Sequence, residues 1–125
     1  MAGSIATVTS THNGVSKYEM PCTSDARGDV DVDAIPLVQG EIIAVQYSPH
    51  STTPSNNYDL TMKNTDGFDI LTGTGANLSS TVHTQVVPAL STYFPVFIEA
   101  GSYDLVVENL GNAKACIVTV FVRHM

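Results

Sequence analysis

Apolar and polar positions alternate with a period of two along most of this chain. Tyr58, Leu60 and Met62 fall on one side and Asp59, Thr61 and Lys63 on the other, the pattern of a strand with one buried and one wet face. Asp66-Gly67 comes next, a dipeptide suited to a two-residue hairpin turn because Gly takes positive φ freely and Asp tolerates it. Phe68 and Ile70 resume the alternation. The stretch from Asn56 to Ser79 therefore predicts one β-hairpin, with a Gly-Thr-Gly exit at Gly73 to Gly75 and a polar connection through Asn77 to Ser80. The other strands can be arranged around it.

Similar patterns recur on both sides. Ser4 to Thr11 is a weak alternation of small and hydroxyl residues, which suits an arm or an edge strand. Asn13-Gly14 predicts a second hairpin turn, and Val15 to Cys22 a strand with Tyr18 and Met20 opposite Lys17 and Glu19, ended or placed at an edge by Pro21. Glu41 to Tyr47 predicts a buried strand, and Ser48 to Asn57, with two prolines and otherwise no apolar side chain, an exposed loop. Val82 to Val87 is a weaker strand closed by Pro88, and a single helical turn fits only around Pro88 to Thr92. Tyr93 to Glu99 contains Pro95 and so predicts an edge or a bulge. Tyr103, Leu105 and Val107 alternate with Asp104 and Glu108. Gly111-Asn112 turns the chain into a last strand, Ala115 to Arg123.

That last strand is apolar on both faces, with Val118, Val120 and Val122 opposite Ile117 and Phe121. One sheet of a two-layer domain can cover only one of these faces, so a second subunit is expected over the other. Nowhere does apolar spacing of three and four sustain a helix. The prediction is all-β: a single antiparallel β-sandwich of about eight strands over residues 13–125, with a jelly roll among the open arrangements, preceded by an arm or edge strand at 1–12.

Composition narrows the function classes. The 125 residues suit one domain. Twelve acidic against five basic residues, a formal net charge of −7, argue against nucleic acid, whose phosphates call for clustered Lys and Arg. The N-terminus has neither a basic region nor a long apolar run, and no stretch approaches the ~20 apolar residues of a membrane span, so a soluble protein made in the cytoplasm is expected. Cys22 and Cys116 could reach one another, but burial as thiols is the expectation.

Candidate chemistry is thin. Asp29, Asp31 and Asp33 share one face of an extended chain and could bind a divalent cation, although a solvated edge strand explains them better. Asn64 to Asp69 resembles part of a calcium loop, but its twelfth position is Gly75, where such a loop needs Glu. The four histidines lack zinc spacing, and no nucleophile-elbow or phosphate-loop motif occurs. No catalytic, cofactor-binding or metal residue, and no cofactor, is assigned. The chain is expected not to be an enzyme.

Three stretches carry a family resemblance: CTSDARGDV from Cys22, NNYDLTMKNTDGFDILTGTGANLS from Asn56, and the closing AKACIVTVFVRHM. Together, with Pro54 ahead of the second, they resemble a family of small structural proteins of tailed bacteriophages. In this family a TSD-x-x-G element precedes a P-x-x-NYD block that contains DG-x-D and G-x-GAN, and a strand ends the chain. The chain departs from the family at Pro21-Cys22, where an aromatic often precedes the TSD element.

The resemblance implies a non-enzymatic virion protein, a capsid decoration or cement protein on the outer shell. It would bind the major capsid protein and itself, as a homotrimer, with neither nucleic acid nor membrane as partner. The alternative is a receptor- or carbohydrate-binding module of a head or tail fibre, using the Ser48 to Asn57 loop. Residues expected at interfaces are Ile5 and Val8 in the arm, His50 and Pro54 in the loop, and Val118, Val120 and Val122 in the last strand.

Overall fold

The computed structural model describes residues 4–5, 8–25, 30–50, 54–91, 94–111 and 113–124, with side chains at 9–25, 34–50, 54–89, 96–111 and 113–124. Twelve strands lie within these residues: β1 (Ser4–Ile5), β2 (Val8–His12), β3 (Val15–Thr23), β4 (Val30–Leu37), β5 (Gly40–Pro49), β6 (Asp59–Lys63), β7 (Thr84–Val86), β8 (Ala89–Ser91), β9 (Phe94–Pro95), β10 (Phe97–Ile98), β11 (Gly101–Glu108) and β12 (Ala115–His124). All pairings are antiparallel.

The larger sheet runs β3-β12-β5-β10, with β1 and β2 on the outer side of β3 and β7 beside β5. The smaller sheet runs β4-β11-β6. Segment 69–78 lies along β6, bridged at Lys63–Asp69 and Tyr58–Leu78. Taking β3, β4, β5, β6, that segment, β10, β11 and β12 as first to eighth, the two layers read first-eighth-third-sixth and second-seventh-fourth-fifth. This interleaving of two Greek keys is a jelly roll.

The alternation seen in the sequence sets the core. Tyr18, Met20 and Cys22 of β3, Ile42, Val45 and Tyr47 of β5, and Cys116, Val118, Val120 and Val122 of β12 point inward from the larger sheet. Leu60 and Met62 of β6 and Tyr103, Leu105 and Val107 of β11 meet them from the smaller one. Three buried tyrosines keep their hydroxyls bonded: Tyr47 to the Thr74 hydroxyl at 2.8 Å, Tyr18 accepting from the Val38 amide at 3.0 Å, and Tyr103 donating to the Glu99 carbonyl at 2.7 Å. Burial pushes the phenols of Tyr47 and Tyr58 well above the ordinary tyrosine range.

Several local expectations need correction. Of the two forms expected for the N-terminal segment, the described residues take the edge strand: β1 and β2 pair with β3 in the same register, Ile5 opposite Cys22 and Val8 opposite Glu19. Pro21 does not end β3, which continues to Thr23. The one place where a helical turn could have fitted, after Pro88, holds strand β8, paired with β9. Asn13-Gly14 does turn as expected, with φ of 51° and 76° closing β2 onto β3, as a two-residue hairpin loop with both φ positive requires. Cys22 and Cys116 are buried and directly opposite on β3 and β12, with no disulfide between them.

The predicted central hairpin is only half regular. The Asn64 carbonyl accepts the Gly67 amide at 3.0 Å, so Thr65 and Asp66 are the central turn residues and Gly67, at φ 85°, follows them. This is the three-residue loop with a glycine bulge rather than the two-residue turn. Beyond Phe68 the chain makes successive turns instead of a second strand.

Candidate functional site

The calcium-loop-like run lies in the block from Asn56 to Ser79, where Asn64, Asp69 and Asp59 turn their side chains to backbone amides of the same block. Asn64 Oδ1 accepts the amides of Asp66 and Phe68 at 3.0 and 2.9 Å. Asp69 Oδ1 accepts those of Met62 and Leu71 at 3.1 and 3.0 Å, and Oδ2 that of Gly73 at 3.1 Å. Asp59 accepts the Asn77 amide at 2.8 Å and the Asn109 side chain at 3.1 Å. Gly75 sits against β6, its carbonyl 2.8 Å from the Leu60 amide, and a Cβ there would run into the Leu60 carbonyl. Asn57 and Asn77 take left-handed φ of 64° and 54°, which Asn tolerates better than most side chains. These residues thus carry a chain that leaves the strand ladder and must satisfy its amides locally.

Other clusters offer less. No group of three or more His, Cys, Asp and Glu that could hold a metal ion is found among the described residues. The side chains of Asp29, Asp31 and Asp33 lie outside these residues, although β4, which carries two of them, is an edge strand of the smaller sheet. One constellation escaped sequence reading: buried Ser16 bonds His124 Nε2 at 2.6 Å and the Thr11 hydroxyl at 2.9 Å. A working nucleophile and base would also need a group orienting the imidazole. This chain of bonds instead links β2, β3 and β12 at the sandwich rim.

The expected interface residues divide. Val118, Val120 and Val122 are wholly buried in the core of the chain itself and cannot form a contact surface. They share a face with Cys116, and the smaller sheet covers that face. The outward face of β12 belongs to Ile117, Thr119 and Phe121. Ile117 and Phe121 are half-buried, as are Pro21 of β3 and Ile43 and Ala44 of β5. Register places Ile117 opposite Pro21, and Phe121 between Lys17 and Ala44, giving a strip on the outside of the larger sheet that is apolar at both ends and interrupted by Thr119 between Glu19 and Gln46. Pro54 is buried, drawn in where the Ser55 amide donates to the Leu110 carbonyl at 2.7 Å. His50 is exposed, its amide bonded to the Ala115 carbonyl at 3.2 Å. The side chains of Ile5 and Val8 lie outside the described residues.

A concave surface lies at one end of the sandwich, where the loop after β6 faces the turn between β10 and β11. This groove of about 360 Å³ is walled by Asn64, Asp66 and Phe68 on one side and Phe97, Glu99 and Tyr103 on the other. Phe68 and Phe97 are 44% and 57% exposed. No family model matches the chain, and neither curated proteins nor solved structures give a significant match.

Proposed function

We propose that this protein is a non-enzymatic structural component of a tailed-phage virion, a decoration protein that binds the outer surface of the assembled capsid and associates with itself as a trimer. The observation that carries the reading is the apolar strip of Pro21, Ile43, Ala44, Ile117 and Phe121 on the outside of the larger sheet. In a monomer these side chains are only half-buried, and covering the remainder of Ile43, Ile117 and Phe121 in an assembly would contribute roughly 1 kcal/mol each. Commitment of the signature block to backbone support also favours a scaffold over a reaction centre. The acidic surface and the open edges of the larger sheet are compatible with a protein that works by contact.

The alternative, a receptor- or carbohydrate-binding module, has less support. Its proposed loop has Pro54 buried, and its described residues present no aromatic platform.

The test is to strip particles of this protein and add it back in purified form. Rebinding in copy number comparable to the capsid subunit, with increased resistance of the particles to heat, is expected. Absence of rebinding, or binding confined to a few copies at the tail, would refute the decoration reading.

A further inference from the structure

The groove between the β6 loop and the β10–β11 turn has features that the virion reading does not use. Two of the four large apolar side chains that stand exposed among the described residues, Phe68 and Phe97, line it. Asp66 and Glu99 are exposed on its walls, and none of its lining residues is basic. Phe97 is also a ridge. On its far side lies a second hollow of about 410 Å³, bounded by Gln39, Gly40 and, again, Glu99.

Both walls are set in place without a ligand. Asn64 Oδ1 holds the amides that flank the Asp66-Gly67 tip, and the Tyr103 hydroxyl pins the Glu99 carbonyl. Walls already ordered lose little entropy on binding. Among the described residues β10 is the terminal strand of its sheet path, the kind of edge along which an extended chain can run.

We infer that this surface docks an extended, Lys- or Arg-bearing segment of a protein partner, which lies across Phe97 with one cationic side chain in each hollow. Charge complementarity selects the occupant. Aromatic faces attract cations, and two carboxylates with no basic neighbour on the walls, in a chain of net charge −7, repel anionic ligands, nucleic acid included. A small amine could fill one hollow but could not engage both sides of the ridge. Alternate side chains of an extended chain are ~6.6 Å apart and share a face, which suits two adjoining hollows that have Phe97, Ile98 and Glu99 in common. The inference stands apart from the virion reading and can fail or succeed without it.

The probe is the capped pentapeptide Ser-Lys-Leu-Lys-Ser, with its Glu-for-Lys counterpart and lysine amide as comparisons, titrated into the full chain and followed by amide NMR shifts. Saturable shifts confined to 64–68, 39–40 and 97–103 are expected, with no such response to the Glu peptide and far weaker binding of lysine amide. Phe97→Ala and Glu99→Gln should each weaken the peptide about tenfold, and Glu108→Gln, with the same change in net charge as Glu99→Gln, less than about twofold. Melting temperatures verify that each variant is folded. Shifts scattered over the acidic surface, equal losses in Glu99→Gln and Glu108→Gln, or no saturation by about 10 mM peptide, where binding contributes less than ~3 kcal/mol, would overturn the inference. Lysine amide binding as tightly as the peptide would do so too.

Discussion

Replacing Asp69 with alanine isolates what the signature block contributes. Three backbone amides end on this one carboxylate, those of Met62, Leu71 and Gly73. Met62 and Leu71 are wholly buried, whereas Gly73 lies toward solvent. Truncation leaves the first two amides without a partner and lets water reach the third. A buried donor left unsatisfied costs about 1–3 kcal/mol, so the variant should lose roughly 2–6 kcal/mol, a large share of a small domain's stability. Asp69→Asn keeps Oδ1 for Met62 and Leu71 and sets an amide NH2 against the Gly73 amide, so it should lose only about 1 kcal/mol. Urea denaturation of the three proteins gives these differences directly. At about 4 °C per kcal/mol for a domain of this size, the alanine variant should also melt at least ~8 °C lower. Asp69→Ala within about 0.5 kcal/mol of the parent, the range of neutral surface substitutions, would refute the structural role of this carboxylate.

Further outcomes follow from the same packing. Gly75→Ala should destabilise by about 2 kcal/mol or more, since backbone rather than a flexible side chain blocks the new Cβ, and Gly67→Val by about 1 kcal/mol or more through its positive φ; denaturant midpoints equal to the parent's would contradict either. Tyr47 and Tyr58 stay protonated in the fold after their unfolded counterparts ionise. Their contribution to stability is therefore intact below the unfolded pKa of about 10 and falls as pH rises beyond it. The tyrosinate absorbance of these two phenols should appear together with unfolding, and ionisation of both in a still-folded chain would contradict their burial. Chelator should leave the melting temperature unchanged to within about a degree, because loss of an ion bound only by the folded state would lower it.

Much of the fold was legible because period-two alternation reports directly on which face of a strand is buried. Tyr18 and Met20, Leu60 and Met62, and Leu105 and Val107 all point inward. The last strand shows the limit of that signal. With both faces apolar, alternation could not say which was inside, and the covered face is that of Val118, Val120 and Val122. The Asp66-Gly67 dipeptide marked a turn but not its length, because Gly67 fits a glycine bulge as readily as a two-residue loop. The turns after Phe68 depend on an aspartate spanning up to seven residues, from Met62 to Asp69, a reach that alternation does not encode. The groove was illegible for a simpler reason: Phe68 and Phe97 are far apart in sequence, and only the jelly-roll connections bring their loops to one end.

The decoration reading depends most on the outward strip, which solution mass tests directly. Sedimentation equilibrium of the full chain is expected to give three times the chain mass. Phe121→Asp, altering a half-buried side chain that points away from the core, should give the mass of a single folded chain with little change in melting temperature. A full-length chain that stays monomeric at high concentration, or a Phe121→Asp variant that still trimerises, would contradict the claim that this face is covered by a second copy.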